Sequence, residues 1–282
     1  MLKDSEFIAL IKLLDDADPE VRQIAHARLS ELGAEGMPRL EAAADEIGDP
    51  EIREQILALI QNVNTEHIAV QLMNWRKAGG DDLPTGWNHL TLLHSQDMNQ
   101  SKILNNEIIR LSNKIWLEMN EQMYVYEKLR IFNHVFFVME GYALEKDRPE
   151  LPKWCFPEIV VKEKKGGSQS LCLLYLSIAH KLELPLAGVI LPGYSVLYCH
   201  DNHNPFYIDV AGGGNFVSRE GLETFVKKLN VPDQAAYYKP TSHIFLILNL
   251  IEILRKAYYA SGAILKAQQI EDIQQKIDIR LS

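Results

Sequence analysis

The chain has 282 residues, 47% of them apolar and 24% charged, enough to bury a sizeable core and to form more than one packed unit. Its formal charge of -9, from 38 acidic against 29 basic residues, comes with no basic stretch longer than 162–165, which argues against nucleic acid as a partner. Acidic residues at Asp4 and Glu6 predict no export signal, and the most apolar run, 244–254, is about half the roughly 20 residues that a membrane span needs.

The first pattern along the chain is a repeat. Asp18-Pro19-Glu20-Val21-Arg22-Gln23 returns 31 residues later as Asp49-Pro50-Glu51-Ile52-Arg53-Glu54. Both copies read as helix starts: Asp caps free amides, Pro occupies the first helical position, and Glu sits near the positive helix end. Apolar segments at 7–14 and 37–44 precede them and amphipathic stretches at 21–32 and 52–63 follow, giving two helical hairpins over residues 5–64. The pair resembles HEAT-type repeats, so residues 1–78 are expected to form a helical repeat domain. Arg22 and Arg53 are expected to pair within the repeats.

A third apolar segment, 67–75, leads into Gly-, Pro- and Asp-rich residues 77–86, read as a linker. Apolar residues three and four apart then predict helices at 103–119 and 123–144. Pro149, Pro152 and Pro157 predict a helix-free stretch over 147–165. A helix opening at Ser168 and running to 182 precedes three predicted strands at 186–191, 194–199 and 206–210, the last two joined by a polar turn at 200–205. Helices return at 218–229 and 243–275. The fold class is therefore α+β.

The segment Gly166-Gly167-Ser168-Gln169-Ser170, then Leu184-Pro185-Leu186, Pro192-Gly193-Tyr194 and Tyr207-Ile208-Asp209, with Leu129, Phe132, Asn133, Gly141 and Tyr142 upstream, resembles the SirB-type transglutaminase-like family over roughly residues 90–270. The resemblance implies a papain-like helix-plus-antiparallel-sheet core at 163–230 within a domain at 87–282, flanked by a helical part at 87–145 and C-terminal helices at 240–280. Enzymes of this layout place a cysteine at a helix N-terminus, a histidine on a later strand and an aspartate on the next. The helix end and the imidazolium lower the thiol pKa, and the aspartate orients the ring. Carried over by position, the nucleophile falls on Ser168, the base on Tyr194 and the acid on Asp209.

Only the acid is retained. Tyrosine, with a pKa of about 10, is a poor proton acceptor at neutral pH, and losing both reactive members of a triad costs about 10⁴- to 10⁶-fold in rate. The residues themselves read more plainly as a helix N-cap (Ser168), a packed strand aromatic (Tyr194) and a hydrogen-bonding turn residue (Asp209). Cys172, four positions beyond Ser168, is a candidate displaced nucleophile but reads as a core thiol among leucines.

The other motifs are read as structural. His200, Asp201 and His203, beside Cys199, belong to a solvated turn and hold no metal, and Gly212-Gly213-Gly214 forms a turn, with no Lys-Ser/Thr to make a phosphate loop. Three cysteines without paired spacing predict free thiols and a cytoplasmic protein. No cofactor is expected. The leading expectation is a non-catalytic binding or scaffold protein with a protein or peptide partner. The alternative is a residual amide-bond hydrolase or acyltransferase using Ser168 or Cys172 with a base such as His134 or His180, and a third reading is a sensor of a small ligand in the old cleft.

Overall fold

Asp18 and Asp49 cap helices as their sequence context predicts: each carboxylate accepts from the backbone N–H of the Glu two positions on, at 2.9 Å in both copies. A computed structural model describes residues 2–93, 100–201, 204–232 and 234–277. It divides into two compact units, one holding the chain up to Met73 and from Asp272 onward, the other Asn74–Glu271.

In the first unit the helices are α1 (Asp4–Lys12), α2 (Pro19–Ser30), α3 (Gly33–Glu46) and the start of α4 (Pro50–Lys77). Phe7, Leu14, Leu29, Leu40, Ile56 and Leu59 are buried together in its core. The segments 52–63 and 67–75, expected as separate helices, are one continuous helix. The polar residues between them do not break it, and the Thr65 hydroxyl turns back onto the Gln61 carbonyl at 2.7 Å.

The second unit is α+β. Its sheet has four antiparallel strands in the order β3 (Leu186–Leu191), β4 (Tyr194–Cys199), β5 (Phe206–Asp209) and β6 (Asn215–Val217). Helix α9 (Ser168–Lys181) packs against β3 and β4 and is buried from Gln169 through Ala179. Tyr175 of α9 stacks on Phe132 at 3.9 Å between ring centres and donates its hydroxyl to Asn133 Oδ1 at 2.9 Å. The remaining helices are α5 (Leu83–Asn88), α6 (Gln100–Glu118), α7 (Val125–Asn133), α8 (Pro157–Glu163), α10 (Arg219–Lys228), α11 (His243–Ala260) and α12 (Ile264–Lys276), the last of which belongs to the first unit from Asp272 on. No helix among the described residues is long and apolar enough to cross a membrane.

Several expectations are corrected. The linker 77–86 ends in α5, whose first turn is capped by Asp82. The helix expected at 123–144 leaves α-geometry after Asn133, passes through a π-turn (His134–Met139) and stops at Gly141, whose φ is +78°. Ala143–Leu144 then forms β1, paired in parallel with β2 (Lys165–Gly166). The stretch expected to be helix-free contains α8, because Pro157 sits at a first helical position, where its missing N–H costs nothing. The expected C-terminal helix 243–275 is two helices, α11 and α12, separated at Gly262 with φ +76°.

Candidate functional site

The three positions singled out from the sequence lie at the ends of elements facing a common region. Ser168 is the first residue of α9. The N-cap is Gly167, not Ser168, so the expected side-chain cap is absent. The Ser168 hydroxyl takes no hydrogen bond among the described residues. Tyr194 follows the Pro192-Gly193 turn that joins β3 to β4, and the φ of +69° at Gly193 suits a type II turn with Pro first and Gly second. Asp209 ends β5.

Tyr194 and Asp209 meet directly. The tyrosine hydroxyl donates to Asp209 Oδ1 at 2.8 Å, and the same oxygen accepts the Gly212 N–H at 2.8 Å. Burial, then the bond to Asp209, pushes the Tyr194 hydroxyl well above its ordinary pKa, so it remains a proton donor. The carboxylate that would orient an imidazole is thus occupied by a phenol that cannot accept a proton.

Cys172 gives no substitute nucleophile. It is fully buried, its Sγ lies 3.3 Å from the Ser195 carbonyl oxygen, and burial together with the Asp209 charge pushes its thiol well above the ordinary range. Cys155 and Cys199 are also buried, and burial pushes each up to about 12. A thiol-reactive dye at pH 8 should therefore titrate none of the three cysteines in the native protein and all three in guanidinium. Rapid native labelling of one thiol would contradict this account of Cys172.

Ser168, Gly167, Gly193 and Tyr194 line a cleft of about 670 Å³. One wall is the stripe Leu250, Ile253, Ala257 and Ala260 of α11. The other comes from the 144–154 segment, with Leu144, Leu151 and Trp154. Gln169 braces the floor: its Nε2 donates to the Leu246 carbonyl at 2.9 Å, while its Oε1 accepts from Asn249 at 3.2 Å and from the Ser195 hydroxyl. Ser170 donates to the Trp154 carbonyl at 2.6 Å, tying the floor to the second wall. The brace residues Gln169 and Ser170 stand in the motif that carries the family resemblance without a role assigned there, and the wall residues are not singled out from the sequence, although Leu250, Ile253 and Ala257 do recur at helical spacing.

No histidine among the described residues lines the cleft. His180 is spent elsewhere, with Nε2 3.0 Å from the Leu186 carbonyl oxygen and its ring against His243. His134 lies in the π-turn. His203 lies outside the described residues, and among those described no three His, Cys, Asp or Glu side chains are grouped to hold a metal ion.

The family model described as the transglutaminase-like superfamily matches residues 103–252, more than half of the chain and the whole of this cleft floor. The chain belongs to the transglutaminase-like superfamily. Within curated proteins, this transglutaminase-like chain is 28% identical over 143 residues to a UPF0162 protein of Pseudomonas aeruginosa, covering 50% of this chain and 51% of that one. It is 24% identical over 137 residues to a UPF0162 protein of Xylella fastidiosa, covering 46% and 49%. The aligned part spans about half the length of these relatives. No solved structure matches.

Proposed function

We propose that this transglutaminase-like chain is a non-catalytic binding or scaffold protein of the SirB-type branch, with an N-terminal HEAT-like helical pair, acting in the cytoplasm on a protein or peptide partner. The observation that carries the reading is the Tyr194–Asp209 hydrogen bond at 2.8 Å. It fills the base position with a donor and leaves the Ser168 hydroxyl without a base, while the cleft itself stays open at about 670 Å³. Repeated Asp caps at Asp18 and Asp49 support the HEAT-like part, and three buried free thiols accord with a reducing compartment.

The test is turnover. Fluorogenic peptide amides and hydroxylamine acyl transfer should give no rate above buffer with the wild-type chain, and none with Ser168→Ala or Cys172→Ala. A wild-type rate that falls 10²-fold or more in Ser168→Ala would instead establish a residual hydrolase.

A further inference from the structure

The cleft carries a feature that no catalytic reading uses, an unpaired strand edge. In a parallel pair, alternate residues turn their N–H and C=O groups toward the neighbour and the others turn theirs away. Ala143 N–H donates to the Lys164 carbonyl and Glu145 N–H to the Gly166 carbonyl, each at 3.0 Å. Leu144 is therefore the β1 residue whose backbone groups point off the opposite edge. Its backbone groups have no partner among the described residues, and Leu144 lines the cleft together with the exposed Lys146 just beyond the strand.

We infer that β1 takes an extended peptide as an added strand, with the peptide's alternate side chains lying between the Leu151–Trp154 wall and the α11 stripe. Backbone bonding to Leu144 supplies a donor and an acceptor in strand register, and successive same-side residues about 6.6 Å apart suit a wall of repeated apolar side chains. Charge narrows the partner further. The Glu145 carboxylate is turned into its own loop, accepting from Asp147 N–H at 2.8 Å and lying 3.3 Å from Lys165. Lys146 has no ion-pair partner among the described residues, and Lys256 is only 3.4 Å from a Glu252 already held by Arg255 at 2.7 Å. Two loosely held ammonium groups against the single carboxylate of Glu150 favour an apolar peptide that carries an acidic residue. This inference rests on the binding reading above.

The probe is a library of fluorescent hexapeptides with alternating apolar positions and one acidic residue, titrated by anisotropy against the full chain. Members should bind, and N-methylating the amides of one alternation register should weaken the best binder at least ~10-fold, since each methyl removes a strand bond, whereas the other register tolerates it. Lys146→Glu should shift the preference from acidic to basic members. Absence of any binder, or equal affinity of both N-methylated registers, overturns strand addition. Because Leu144→Pro risks misfolding, the methylation is kept on the peptide. Mass spectrometry of the same mixtures separates the two claims: cleavage of a bound peptide would remove the non-catalytic reading while leaving the docking mode standing.

Discussion

Replacing Glu140 with Ala should lower the unfolding free energy by ~2–3 kcal/mol and the melting temperature by about 5–10 °C. Glu140 lies just after the π-turn with its side chain 6% exposed, and three cations converge on it: Arg110 through two bonds at 2.7 and 3.0 Å, Lys114 at 2.7 Å and Lys164 at 2.9 Å. Truncation leaves these three facing one another, with Glu107, itself bonded to Arg110 and Tyr142, as the remaining acid. The loss stays below the 3–5 kcal/mol of a fully buried broken pair because the cations are 36–47% exposed and can rehydrate.

The pH dependence has a definite sign. The Arg110 bonds, helped by Lys114 and Lys164, hold the Glu140 carboxyl well below its ordinary range. Its contribution is therefore complete above the unfolded pKa of about 4.3 and is lost as pH falls toward the lower folded value. The gap between wild type and Glu140→Ala should persist from pH 7 to about 4.5 and narrow below that. Guanidinium unfolding at several pH values measures it, and a gap that is constant down to pH 3 would rule out the charge-based account.

Gly214→Ala should cost ~2–4 kcal/mol, read as a lower guanidinium midpoint. The backbone at Gly214 has φ +81°, and an added Cβ would overlap the Asn133 amide oxygen and come within 2.5 Å of Phe137 Cε2. The position also relays between the candidate site and the core. Gly214 N–H donates to the Asp209 carbonyl at 2.8 Å, the Gly214 carbonyl accepts from Asn133 Nδ2 at 2.8 Å, and Asn133 Oδ1 accepts from Tyr175. Gly213, with φ +84° and no atom within 4 Å of its would-be Cβ, is the control. Gly213→Ala should cost only ~1 kcal/mol, from the backbone alone. Equal costs at the two positions would mean that the contact with Asn133 contributes nothing.

What could be read ahead of the structure follows from how local each signal is. The Asp-Pro caps, the strands β3 and β4 and the opening of α9 rest on neighbouring residues, so spacing and turn chemistry located them. The β1–β2 pairing joins Ala143 to Lys165 across 22 positions through only two residues a side, too short to leave an alternation to read. Pro157 was read as a breaker when it opens a helix. The family resemblance is what groups Ser168, Tyr194 and Asp209, and it does not foretell the hydroxyl-to-carboxylate bond that joins the last two. The cleft walls are not legible in the sequence because they come from a Pro-rich stretch and from α11 residues 250–260, more than 80 positions beyond Ser168, brought together only by packing.

Helix α9 has one further consequence. A helix buried from Gln169 through Ala179 offers no face to water, so its amides exchange hydrogen only when the surrounding domain opens as a whole. The floor under Ser168 is thus a fixed anvil. Any adjustment to a ligand has to come from the 144–154 segment, whose Lys146, Asp147 and Arg148 are all exposed, or from α11. The open cleft can fit itself to a ligand through its walls alone, with the floor held still.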